Sequence, residues 1–66
     1  MFIAIKNTFD DKIELINISE CWLIAPAPTD GGGGTIFFRH GGKEVHAWDD
    51  FDSVMQKVKN MQDGRL

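Results

Sequence analysis

Phe2 to Lys6 opens the chain with apolar, β-strand-forming residues and no helix cap before them, the pattern of a first strand. Asn7-Thr8-Phe9-Asp10-Asp11 follows with short polar side chains that bond the local backbone, which predicts a turn. Lys12 to Ile16 then alternates with a period of two and sets Ile13 and Leu15 on one face of a second strand. Asn17-Ile18-Ser19-Glu20 reads as a kink or tight turn, because Asn and Ser compete for backbone hydrogen bonds. An apolar strand resumes over Cys21–Ala25, and Pro26 and Pro28 end it, since proline cannot donate to a ladder.

The glycines of the 26–34 segment predict a long mobile loop. Thr35–Arg39 and Lys43–Trp48 then form a hairpin around Gly41-Gly42, residues that tolerate the positive φ angles of a type I′ turn. A two-residue or a four-residue loop gives one and the same pairing, with Phe38 opposite Val45 and Phe37 opposite His46. Ile36, Phe38, Val45 and Ala47 are thereby expected to face the core. Thr35, Phe37, Arg39, Glu44, His46 and Trp48 are expected on the other side.

After Asp50 the period changes. Asp49 or Asp50 is a strong N-cap, and Phe51, Val54, Val58 and Met61, widened by Met55, recur at helical spacing. The prediction is a helix over about 50–61 whose apolar stripe packs on the sheet. The expected fold is α+β: one domain over residues 1–66, a small antiparallel β-meander of three to four strands packed by one C-terminal α-helix.

Composition narrows the function. The chain has 66 residues and a single cysteine, so no intrachain disulfide can support a core of this size. A domain this short buries only about 60% of its unfolded surface, which makes self-association a natural source of added burial and a homodimer an expectation. No apolar run reaches the ~18 residues of a membrane span, and the first residues lack the basic start of a signal peptide. A cytoplasmic location is expected. The net charge of −3 is opposite to the basic footprint of a nucleic-acid binder.

Candidate chemistry is sparse. Cys21, His40, His46, Asp49 and Asp50 lack the paired spacings of a zinc site, and the register above puts His40 and His46 on opposite faces. Cys21 sits in an apolar segment with no basic neighbour in sequence to activate a thiolate. The glycine run 31–34 opens a strand and not a helix, and no Gly-Lys-Ser/Thr follows, so it is not a phosphate loop. No catalytic residue, cofactor, metal or small-molecule substrate is expected, and the chain reads as a non-enzyme.

The opening strand, Lys12-Ile13-Glu14-Leu15-Ile16-Asn17, Ile24 and Thr35-Ile36-Phe37-Phe38 continue into a glycine turn with lysine and a capped helix carrying Val54 and Val58. In this the chain resembles the short flagellar-regulator proteins of the FlbD type, from which it departs by its Pro/Gly-rich loop, Trp22 and Trp48. The resemblance implies a regulator that works by binding and carries over no active site.

Aromatic residues supply the expected working face. The helix covers only one side of the sheet, which leaves Phe37, Arg39, His46, Trp48 and Trp22 as the candidate partner-binding residues. The function expected is a non-catalytic protein-interaction or regulatory module, in one form a phage-type inhibitor occupying a surface of a partner protein. The alternative is a nucleic-acid-binding module that stacks bases on sheet aromatics, which the acidic balance opposes.

Overall fold

The computed structural model describes residues 1–28 and 34–63. The chain runs through β1 (Phe2–Lys6), β2 (Ile13–Asn17), a 3-10 turn (Ile18–Glu20), β3 (Cys21–Pro26), β4 (Thr35–Arg39), β5 (Val45–Ala47) and α1 (Phe51–Asp63). This is a small α+β fold with antiparallel pairing and a C-terminal helix, as the pattern predicts. Among the described residues the strands number five rather than three to four, and they divide into a β1-β2 sheet and a β3-β4-β5 sheet.

The division occurs at the expected kink. Asn17 remains extended, and its side-chain Oδ1 accepts the Ser19 N–H at 3.0 Å. That local bond satisfies the Ser19 N–H within the turn, where the chain passes out of one sheet into the other. β5 then returns to the first strand. Asn7 bridges Ala47, the Thr8 N–H donates to the His46 carbonyl and the Trp48 N–H donates to the Lys6 carbonyl, each at 2.9 Å. The strands therefore close a ring, with β2 and β3 as successive halves of one bent path. Ile3, Ile5, Ile16, Phe37, Val45 and Ala47 fill its inner side. Val54 of α1 completes this core, with Met55, Val58 and Met61 packed at its margin.

One expected register is corrected. Phe37 pairs with Val45, Ile36 with His46 and Thr35 with Ala47, one residue away from the expected alignment. Residues 38–44 separate the last pair, an odd number, whereas two- and four-residue loops enclose even numbers. Gly41 takes φ +68°, and the Arg39 guanidinium closes the loop by donating Nε–H and Nη2–H to the Lys43 carbonyl at 3.1 and 3.0 Å. A slip of one residue reverses every side chain of a strand. Phe37 and Thr35 are therefore fully buried, and the Thr35 hydroxyl donates to the Asp49 carbonyl at 2.8 Å. Phe38 instead turns outward and lies against Trp22, ring centroids 5.4 Å apart. Val45 and Ala47 point inward as expected.

α1 begins where its cap predicts. Asp50 accepts the Ser53 N–H at 3.1 Å and the Ser53 hydroxyl at 2.8 Å. Of the loop expected to be mobile, residues 29–33 lie outside the described residues. At its ends the Ala27 N–H donates to the Gly34 carbonyl at 3.0 Å, and a Cβ on Gly34 would stand 3.0 Å from the Ala47 carbonyl, so only glycine fits there without a shift. Among the described residues no helix is long and apolar enough to cross a membrane.

Candidate functional site

Residues Ile3 and Ile5 face the core, so Phe2, Ala4 and Lys6 must face out. Pairing carries this alternation to β2, where Ala4 lies opposite Leu15 and Lys6 opposite Ile13. The bridge to β5 carries it further, because Asn7 opposite Ala47 places Lys6 opposite Trp48. The outer surface thus reads Trp48, Lys6, Ile13 in one row and Ala4, Leu15 in the next, with Phe2 beyond. It is strongly apolar and open: Phe2 is 56% exposed, Ile13 70%, Leu15 65% and Trp48 56%.

Trp48 is fixed although its ring is exposed. Its indole Nε1–H donates to Asp11 Oδ1 at 2.8 Å. Asp11 reaches that position with φ +59°, a left-handed conformation that Asp tolerates better than most residues. The tryptophan therefore has its polar atom satisfied and its apolar ring held ready, the combination that makes such residues effective in contacts. Asp11, Asp49 and Asp50 lie beside it and form an acidic rim, with Asp49 engaged by Lys57 at 3.7 Å.

The five residues expected to bind a partner do not share one face. Phe37 is core and leaves the candidate surface, for the register reason given above. Trp48 stays on the outer face. His46 is exposed, with Nε2 3.2 Å from Glu44 Oε2. Arg39 is half-buried and spends its guanidinium on the hairpin loop. Trp22 is 58% exposed and lies tilted against Phe38 on β3 and β4, whereas Trp48 follows β5 and bonds Lys6 of β1. Sequence reasoning missed Phe2, Ile13 and Leu15. The signal was present in Lys6, whose charge marks the even positions of β1 as outward and, through the 7–12 turn, the odd positions of β2.

A cleft of about 550 Å³ lies between the first turn and the hairpin tip. Several of its polar side chains are engaged locally: Glu14 accepts from Asn7 Nδ2 at 2.7 Å, Arg39 donates to the Lys43 carbonyl and Glu44 meets His46. Cys21 lies apart from it, and burial pushes its thiol above the ordinary range, opposed by the Arg39 charge and aided by Glu20. Among the described residues, no three His, Cys, Asp or Glu side chains gather as metal ligands would.

Comparison with family models, with curated proteins and with solved structures finds no match to this chain. The likeness to FlbD-type regulators thus rests on the sequence pattern alone.

Proposed function

We propose that the protein is a non-catalytic interaction or regulatory module, and that its working surface is the outer face of β1 and β2 together with Trp48. The observation that carries this reading is the run of Phe2, Ile13, Leu15 and Trp48 on one face, each more than half exposed. Contiguous apolar surface on a small chain marks a contact site more often than a chance exposure does. Trp48, anchored by Asp11, is its natural centre. The acidic rim favours a partner that brings basic residues around an apolar centre. Occupying such a partner's surface is how a small regulator or inhibitor acts without chemistry of its own, and a reducing, cytoplasmic setting suits its single free cysteine.

The test compares affinity capture by the wild type, Trp48→Ala and Ile13→Lys/Leu15→Lys, after circular-dichroism melts show that each variant folds. Trp48→Ala is expected to weaken association by about 2 kcal/mol or more. Partners retained equally by all three proteins would remove this face from consideration.

A further inference from the structure

We propose that β2 is a docking edge for a second copy of this chain, whose own β2 pairs with it antiparallel about a two-fold axis at Leu15. This rests on the contact reading above and names the partner for its edge.

The fold treats its strand edges unequally. The even-numbered residues of β1 direct their backbone groups away from β2, and that edge is covered. The Lys6 carbonyl accepts from the Trp48 N–H at 2.9 Å, the Lys6 N–H donates to Asp49 Oδ1 at 2.8 Å, and Lys57 Nζ donates to the Ala4 carbonyl at 3.2 Å. β3 carries an irregularity between Cys21 and Leu23 and ends in Pro26, both of which spoil strand addition. Among the described residues, β2 has neither protection. The Asn7 N–H bonds the Lys12 carbonyl and the Ile18 N–H bonds the Met1 carbonyl, which fixes the phase of the β1-β2 ladder. Glu14 and Ile16 therefore bond β1, while the N–H and C=O of Ile13 and Leu15 and the N–H of Asn17 point to the open side. Such a row is matched by an extended backbone.

A second copy fits this edge in one register. With Leu15 opposite Leu15 of the copy, Ile13 faces Asn17 and Glu14 faces Ile16, so no like charges oppose each other within the strands. The Leu15 pair exchanges both of its backbone bonds, and each Ile13–Asn17 pair adds the bond from the Asn17 N–H to the Ile13 carbonyl. As N-cap of the 3-10 turn, Asn17 gives its carbonyl to that turn, with Cys21 Sγ also near it at 3.7 Å. Sliding by two residues would set Glu14 against Glu14, which like-charge repulsion disfavours. Leu15 then meets Leu15 of the copy across the junction, with each Ile13 beside Asn17 of the other copy on the same face. Assembly stops at two, because the outer edges of the joined sheet are the two β1 strands, already covered by Trp48, Asp49 and Lys57. One strand of five residues offers less than or about the 1,000 Å² that specific complexes bury in total, so the pairing depends on concentration.

The experiment is sedimentation velocity over a concentration series, for the wild type, Leu15→Lys and Ile13→Lys, with amide exchange followed by NMR. The wild type should rise from the 7.4 kDa of one chain towards twice that mass. The Leu15 and Asn17 amides should exchange at least tenfold more slowly at the high-concentration end. Each lysine variant should melt as the wild type does and sediment as a single chain. A wild type that stays a single chain throughout overturns the pairing, as does a dimer unaffected by either lysine with those two amides unprotected. If that single chain still captures a partner which Ile13→Lys/Leu15→Lys loses, the contact surface stands without the second copy. Pairing through β2 with no capture lost upholds the dimer and removes the wider contact reading.

Discussion

Phe37 and Phe38 are neighbours with opposite fates. Phe37 is fully buried among the ring's inner residues, so Phe37→Ala removes a large side chain and leaves a cavity that its neighbours fill only in part. The expected loss is about 3–5 kcal/mol, comparable with the whole stability of a small domain. Phe38 contacts Trp22 on the outer surface and keeps part of its area in solvent, so Phe38→Ala should cost markedly less. Urea denaturation of the two variants checks this, and equal losses would contradict the observed register. Neither tyrosine nor a second cysteine is present to complicate the spectroscopic readout, and the two tryptophans report on the outer surface.

At the scale of elements, α1 depends on its first turn. The Ser53 hydroxyl and N–H hold the Asp50 carboxyl below the usual carboxylate range. A group depressed on folding stabilises the fold above its unfolded value near ~3.9 and loses that contribution as pH falls through the lower folded value. Asp50→Ala should therefore lower the melting temperature at neutral pH by a measurable step. The gap between variant and wild type should hold down to about pH 5 and narrow below pH 4 as the wild-type carboxylate protonates. Melts across that range decide it, and a gap that widens in acid would contradict the assigned cap. This helix was legible in the sequence because a helical apolar stripe and a capping acid agree on its start. The strands were legible to within a residue or two, β2 being expected at 12–16 and forming at 13–17. The β4-β5 register was not, because Ile36, Phe37 and Phe38 supply apolar side chains of both parities and alternation cannot choose between them. The choice is made by the hairpin loop and by Thr35, whose hydroxyl finds a buried acceptor. The outer face escaped notice for a related reason: Ile13, Leu15 and Ile16 again offer both parities, and only pairing with Ile3 selects Ile16 for the core.

At the scale of the molecule, ring closure joins residues far apart in sequence, Asn7 to Ala47 and Lys57 to Ala4. A chain cut after Trp48 keeps every strand but loses Val54, the residue that completes the core. It should show no cooperative thermal transition, whereas the full chain should melt in one step. A sharp transition in the truncated chain would show that the helix is an accessory.

The ring also sets a timetable during synthesis. The β1-β2 hairpin can form within about 1–10 μs of its residues becoming free, but an isolated two-stranded hairpin is marginal in water. Its inner face, Ile3, Ile5 and Ile16, waits for Val54, close to 40 residues after Ile16, and at about 5–20 residues per second that wait lasts on the order of 2–8 s. Throughout it the nascent hairpin carries apolar side chains on both faces, Phe2, Ile13 and Leu15 outside and the isoleucines inside. Slowing translation over 20–50 should therefore raise aggregation of the nascent chain, read as the insoluble fraction, without any change in the finished fold.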